Sequence, residues 1–500
     1  MLHSKTKNFY RLLVEILWPV QKHEMKLFIA VALMMFCMLS SFGMLRSLKD
    51  GLIIPEIGAE VISFLKFCFV LPFSIVFTIL YIKLSNNFQF NTVFYIIIFC
   101  FLLFFVLFAY AIYPNEELFH IQPELISYYA NKYPYFQWMI KIIGKWSYVL
   151  MYLFAELWSV VVINLMFWQF ANHIFNTQQA RRFYPMLGFL GNIGLIFAGN
   201  TLIASSKLPL EYLEYQLECY AIFQKLIILI VGLGLASIAL FYYINKCVMK
   251  DDYFRQHFTR AQEETKTKLS IVESFKLIVH SKYIRNIVLL VLCYGFVINI
   301  LEGPWKSKVS IYYANTIDYV HFMGRFNVWM GISCICFTII GSNLVRRCQW
   351  IVPALVTPSV ICTTGSMFFI FIVFNDRIKY FVNFSFDPIY LAVLVGALQN
   401  ILSKSFKYSL FDSTKEMAYI PLSIELRTKG KVTAEVLGMK FGKSFSAFIQ
   451  LFMFSILPGA TFDSIVPYLM VIFIIMMVVW FKSIIKLNQE YSKIQKQGVN

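Results

Sequence analysis

Four ionisable residues sit where hydrocarbon should surround them. Lys49 in RSLKDGL, Glu156 in YLFAELWSVVV, Glu302 in LEGPWKSK and Lys443 in LGMKFGKSFSAF each lie in or at the edge of a long apolar run. A charge at mid-bilayer costs at least about 2.5 kcal/mol, so it normally faces a polar cavity or pairs with another charge. Two lysines could hold a polyanion, because phosphate accepts charge-assisted hydrogen bonds. Two acids could hold those lysines when the anion is absent.

Each residue also has an ordinary structural reading. Lys49 can snorkel to headgroups, and Arg46 can pair with Asp50 one turn on. Glu156, nearly central in its run, can form a salt bridge that fixes the fold. Glu302 can end a helix that Gly303 and Pro304 break, with Lys306 and Lys308 as interfacial lysines. Lys443 has the weakest ordinary reading. Lys440 precedes it by almost one turn, and Gly438, Gly442 and Ser444 allow close approach of a neighbour or ligand. Asn192, Lys306, Asn400, Lys404, Lys415 and Lys440 form a second tier of candidate contacts.

Other chemistries find no support. GMKFGKS has three residues between its glycines where a phosphate loop needs four, and no soluble strand precedes it. Gly188, Gly191 and Gly194 are spaced for helix packing rather than dinucleotide binding. The seven histidines lack metal-ligand spacing, and no Ser-His-Asp set is visible. Neither a catalytic residue, a metal nor a cofactor is expected. The ten cysteines fall mostly in apolar runs and form no framework, so free buried thiols are expected.

The elements that must position these charges are membrane helices. The chain of 500 residues is 59% hydrophobic and only 14% charged, against about 25% charged in soluble domains. The +17 net charge gathers in short polar loops. That pattern fits the positive-inside rule and gives no basic patch on a soluble fold for nucleic acid. No cleavable signal is read at the N-terminus.

Twelve apolar runs approach the 20 residues a span needs. They lie near Leu27–Leu45, Val61–Ile82, Thr92–Tyr113, Trp146–Trp168, Tyr184–Ile203, Ala221–Ile244, Ile284–Leu301, Phe326–Val345, Ile351–Phe374, Ile389–Phe406, Val436–Leu457 and Ile465–Phe481. The polar segment from Cys247 to Lys282 divides them six and six, the layout of a transporter built from two halves. The halves are residues 1–246 and 284–500, joined by a linker at 247–283 on the cytoplasmic side. Faint echoes favour duplication: LKDG closes the first run and LEGPW the seventh. Lys and Arg place both termini in the cytoplasm. Glu116, Glu117, Glu124, Glu211, Glu214 and Glu218 then fall on the opposite side. The polar segment carrying Lys415, Glu416, Arg427, Lys429 and Lys431 reads as a cytoplasmic loop that could gate or steer an anion.

At these residues the chain resembles the nucleotide transporter family of obligate intracellular bacteria and plastids, the ATP/ADP translocases. The marks are LKDGLIIPEIGAEVISFLKF, AELWSVVVINLMFWQFAN, ARRFYPMLGFLGNIGLIF, LEGPWKSK, VGALQNILSKSFKYSLFD and TKEMAYIPL, followed by KGK and GKS. The likeness runs nearly end to end and is nearest in flavour to the rickettsial paralogs. It implies an all-α, major-facilitator-like arrangement and exchange of host ATP for ADP across the bacterial inner membrane. It also implies essential charges at Lys49, Glu156, Glu302 and Lys443. The chain reads GPW after Glu302 and GKSFSAF at Lys443, where relatives carry V-x-W and GKSGG-like strings. These departures bear on the choice of nucleotide.

The expected mechanism is alternating access by a monomer, with nucleotide and lipid bilayer as its partners. Lys49 and Lys443 would contact phosphates, and Glu156 and Glu302 would pair with lysines in the empty carrier. Other readings are a carrier of different nucleotides such as GTP and GDP, or a proton-coupled carrier of another anionic metabolite. A membrane enzyme would want paired acids or a metal cluster at one interface, and a scaffold would leave the intramembrane charges unexplained.

Overall fold

The computed structural model describes residues 20–175, 177–207, 215–249, 281–374, 387–422 and 438–497. Among them every regular element is helical. A chain crossing hydrocarbon must satisfy its backbone hydrogen bonds internally, and in the absence of a closed barrel only helices do so.

Among the described residues, eleven helices are long and apolar enough to cross a membrane. In chain order we name α1 (Met25–Ile57), α2 (Val61–Asn87) and α3 (Phe90–Phe119). Two short helices follow, α4 (Pro123–Lys132) and α5 (Gln137–Gly144). Then come α6 (Trp146–Ile174), α7 (Thr177–Ser206) and α8 (Tyr215–Val248). The later set is α9 (Lys282–Tyr312), α10 (Thr316–Arg347), α11 (Ile351–Val373), α12 (Pro388–Tyr419), α13 (Phe441–Ile456) and α14 (Phe462–Gln497). The expected eleventh span, Val436–Leu457, corresponds to α13. It has only 16 residues after a π turn at 438–440, and Val436 lies outside the described residues. Most of the Cys247–Lys282 segment, and Arg427, Lys429 and Lys431, also lie outside them.

Two expectations about helix ends are corrected. α1 does not stop near Leu45; it continues to Ile57 and ends at Gly58, whose φ of 121° favours glycine. Lys49 is therefore 24 residues inside a helix, about 36 Å from its start at 1.5 Å per residue. Gly303 and Pro304 do not break α9, which runs through them to Tyr312. Both are buried, and a Cβ on Gly303 would fall 2.6 Å from the Phe462 ring. Close packing at a helix crossing holds this turn despite the hydrogen bond that Pro304 cannot make.

Glycines set the closest crossings. A Cβ on Gly199 would lie 2.5 Å from the carbonyl oxygen of Gly324, and one on Gly331 would lie 2.9 Å from that of Asn192. These contacts bring the backbones of α7 and α10 together, as small residues do in membranes. Gly194 packs on the Phe36 carbonyl of α1, and Gly442 on the Leu292 carbonyl of α9, so both serve helix packing. All ten cysteines are free, but Cys100, Cys247 and Cys336 are exposed rather than buried.

The polar contacts between helices α1–α8 and helices α9–α14 lie, among the described residues, from the middle of the bundle outward, away from Met25 and Lys282. Trp138 donates to the Ala460 carbonyl at 3.1 Å, and the Phe462 amide donates to Glu60 at 3.0 Å. Ser63 donates to Gln450 at 2.8 Å, beside the stacked rings of Phe64 and Phe454. Asn327 donates to the Gly43 carbonyl and to Ser47 near the middle. The bundle is thus knit at the end remote from the start of α1.

Candidate functional site

Five helices each turn one polar stripe toward a common point. On α1 the stripe is Arg46, Lys49 and Asp50, and on α6 it is Tyr152 and Glu156. On α9 it is Asn299, Glu302 and Lys306; on α2, Ser63 and Lys66; on α13, Lys443, Ser446 and Gln450. Spacings of three, four and seven residues keep each set on one helix face. The apolar remainder of each helix makes any other orientation costly.

The stripes meet as one ionic network. Lys49 Nζ lies 2.9 Å from Glu156 and 2.9 Å from Asp50, and 3.8 Å from the centroid of the Tyr152 ring. Lys306 Nζ lies 2.8 Å from the other Asp50 oxygen and 3.4 Å from Glu302. Glu302 also takes Arg46 at 3.0 Å and Lys66 at 3.3 Å. Asn299 accepts from Lys66 at 2.6 Å and donates to the Lys443 carbonyl and to Ser446, both at 3.3 Å. The expected Arg46–Asp50 pair does not form. Arg46 reaches instead across 256 residues of sequence to Glu302.

Exposure falls steadily through this network. Lys443 is exposed. The side chains of Glu156 and Lys66 are 28% and 21% exposed, Glu302 and Arg46 15% and 13%. Lys49, Lys306 and Asp50 show 3%, 2% and 0%. The exposure of Lys443 is not that of a lipid-facing residue. Phe441, Phe445, Phe448 and Phe452 form a stripe on one face of α13, and at 3.6 residues per turn Lys443 points roughly opposite to it. That opposite face carries the buried Ser446 and Gln450. A cavity therefore opens at Lys443 and Glu156 and ends at Asp50. The hydrogen bonds around Ser63, Glu60 and Trp138 close the bundle beyond it.

The second-tier residues divide. Lys306 belongs to the network. Lys404 has a buried Nζ without a hydrogen-bond partner, 5.5 Å from the Phe326 ring centroid, and it feels the charges of Arg46, Glu302, Lys306 and Lys443. Asn400, one turn before it, donates to the Gly396 carbonyl at 2.9 Å and leaves its oxygen unpartnered. Lys415 and Lys407 gather on Asp412, a separate cluster on α12. Asn192 donates to its own helix at the α7–α10 crossing, and Lys440 is exposed in the π turn before α13. Neither joins the network.

Sequence reasoning passed over Lys66, Asp50, Arg46 and Asn299 as site residues. Lys66 had a visible signal, since it interrupts the apolar run FLKFCFV just as the four chosen charges interrupt theirs. It stands on a π turn spanning Leu65–Val70, and a second π segment, Trp158–Phe167, begins two residues after Glu156. Such turns inside α-helices are frequent at functional sites.

Counted together, Arg46, Lys49, Lys66, Lys306, Lys404 and Lys443 face three carboxylates, Asp50, Glu156 and Glu302, which leaves a formal charge of +3. Such a surplus in a low-dielectric cavity is suited to a polyanion. Among the described residues no group of three or more His, Cys, Asp or Glu could hold a metal ion. One arrangement has the outward form of a hydrolase site, with Ser147 Oγ 2.6 Å from His120 Nε2 and Glu116 3.9 Å from Nδ1. Ser147 is fully buried and Glu116 is engaged by Tyr148 and Tyr220, so this set braces α3 against α6 and α8.

Known proteins share this architecture. A bacterial homologue of the iron transporter ferroportin, solved in an inward-facing state, superposes with a TM-score of 0.51 over 93% of this chain and 98% of its own, at 16% identity. That likeness shows the fold, of major-facilitator type. In sequence the chain is 56% identical to ADP,ATP carrier protein 3 of Rickettsia bellii, covering 98% of this chain and 99% of that one. It is 55% identical to ADP,ATP carrier protein 3 of Rickettsia prowazekii at the same coverage. The family pattern described as TLC ATP/ADP transporter matches residues 3–491, and the chain belongs to that family of membrane transporters.

Proposed function

We propose that this protein exchanges ATP for ADP across the bacterial inner membrane by alternating access. The observation that carries the reading is the charged network itself: six cations beside three carboxylates, exposed at Lys443 and buried at Asp50. ATP and ADP are the polyanions named in the relatives. Lys443 and Lys66 meet the phosphates first, and Lys49 and Lys306 hold them at the deep end. Glu156 and Glu302 keep Lys49, Lys306, Lys66 and Arg46 in place when no nucleotide is bound. The path lies within one chain, which acts as a monomer.

The chain divides into halves at 1–246 and 284–500, joined by the segment 247–283, and the halves rock about the charged centre. Both termini face the cytoplasm, an assignment supported by the Lys and Arg of the connecting segments. The open end of the cavity, on the side of Met25 and Lys282, is then cytoplasmic. Direct exchange of ATP for ADP moves about one net charge, worth about 2.3 kcal/mol per 100 mV.

Uptake of labelled ATP into proteoliposomes holding the full chain tests this. Vesicles preloaded with ADP are expected to take up ATP at least tenfold faster than empty ones. Equal initial rates would rule out exchange. Unlabelled ADP is expected to compete best in a nucleotide panel, and stronger competition by a guanine or cytosine nucleotide would reassign the base.

A further inference from the structure

Asp50 has no part in the phosphate contacts just described, yet it is the most deeply buried charge of the network. One oxygen lies 2.9 Å from Lys49 Nζ and the other 2.8 Å from Lys306 Nζ. Lys49 stands beside it on α1, whereas Lys306 comes from α9. A single carboxylate therefore joins α1 to α9 where the cavity ends. α10 packs over the same place: a Cβ on the adjacent Gly51 would lie 2.7 Å from Val320 Cγ2. Nothing the size of a phosphate passes unless α1, α9 and α10 separate there. Separation takes Lys306 from Asp50 and leaves one oxygen of that buried carboxylate without its cation, a cost that stands unless a new partner takes over Lys306.

We propose that Asp50 is the coupling residue of the exchanger, a positioning carboxylate that keeps α1 and α9 clamped until a phosphate claims Lys49 and Lys306. The proposal rests on the nucleotide-exchange reading. In the empty carrier the clamp stays shut, and the site cannot turn to the other side without cargo. A bound nucleotide supplies negative charge to both lysines, so α9 can leave Asp50 without stranding a cation. Glu156 and Glu302 do not fill this role. Among the described residues Glu156 forms an ion pair with Lys49 alone, and Glu302, which joins α9 to Arg46 of α1, is partly exposed rather than sealed at the deep end.

The test compares wild type with Asp50→Asn in proteoliposomes, reading nucleotide binding, exchange, and efflux of preloaded ADP into nucleotide-free medium. Asp50→Asn is expected to bind within about threefold of wild type, while its efflux without external nucleotide rises at least tenfold. Asp50→Glu, which keeps the charge, is expected to remain coupled. A Ser63→Cys reporter, on the closed side, is expected to react faster with an impermeant maleimide in Asp50→Asn than in a wild-type background. Efflux from Asp50→Asn that still requires external nucleotide, at normal binding, overturns the proposal. A binding loss beyond a hundredfold also overturns it, since Asp50 would then be part of the binding site. Lys306→Gln removes the other end of the contact; because Lys306 also holds phosphate, its readout is the Ser63→Cys labelling rate, which is expected to rise as in Asp50→Asn and keeps the test open if Asp50→Asn does not insert. A wild-type protein that exchanges no nucleotide would sink the functional reading instead.

Discussion

The two ends of the charged network hold the same kinds of residue in opposite states. At the deep end Lys49, Asp50 and Lys306 are paired and almost dry. At the mouth Lys443 is exposed and shows no ion pair among the described residues. Charges in a dry site are fixed by their partners, because losing one partner leaves the other unsolvated. Charges in a wet site keep their hydration and can exchange it for a ligand. A lysine in hydrocarbon therefore has no single meaning; its water and its partners decide whether it holds structure or catches anions.

The largest expected effect is at the deep end. Lys49→Ala removes the cation shared by Asp50 and Glu156. Breaking a buried pair from one side costs about 3–5 kcal/mol, so exchange is expected to fall by more than about 100-fold. Thermal unfolding in detergent should show the same variant clearly destabilised. Lys443→Ala comes next. It should raise the KM for nucleotide roughly 10- to 100-fold, the loss of one charge-assisted contact. Its unfolding midpoint should shift by no more than about 2 °C. Equal destabilisation by the two variants would erase the distinction between the ends.

A smaller effect is expected from salt. Raising ionic strength from 0.01 M to 0.15 M shortens the screening length from about 30 Å to about 8 Å. The gap in KM between wild type and Lys443→Ala should narrow, whereas the Lys49→Ala defect should not change. The smallest effect lies outside the network. Burial, with help from the Lys145 charge, pushes the His120 imidazole down to about 4. Folded His120 stays neutral, and the unfolded chain takes up a proton below about pH 6.5. Its stabilising contribution is full above that pH and is lost as pH falls toward 4. Unfolding midpoints at pH 7, 5.5 and 4.5 should reveal this slope. His120→Gln should flatten it and leave exchange at pH 7 intact.

The helices were legible because long apolar runs in a lipid have one solution. Depth was legible too, since Lys49, Glu156 and Glu302 interrupt such runs and all three meet in the structure. Direction was harder. Arg46 could pair locally with Asp50 or far away with Glu302, and only packing selects between them. The helix stop expected at Pro304 failed because the neighbouring packing, invisible in one dimension, outweighs a missing hydrogen bond. Lys66 was overlooked although it met the same criterion as the chosen four. Asn192 donates to its own helix and Lys440 is exposed before α13, so sequence alone does not say which polar residues of a span join a network.

The crossing of α7 and α10 has a mechanical consequence. Gly199 and Gly324 let the two helices touch backbone to backbone, with Val328 on one side and Leu202 and Ile203 on the other closing around the contact. Such a contact is set by backbone dimensions, which leave no slack at the two glycines. It tolerates no shim. One methyl group at Gly199, forced against the Gly324 carbonyl, would push α10 away from α7, and so a single carbon outside the charged network would shift the frame that holds it.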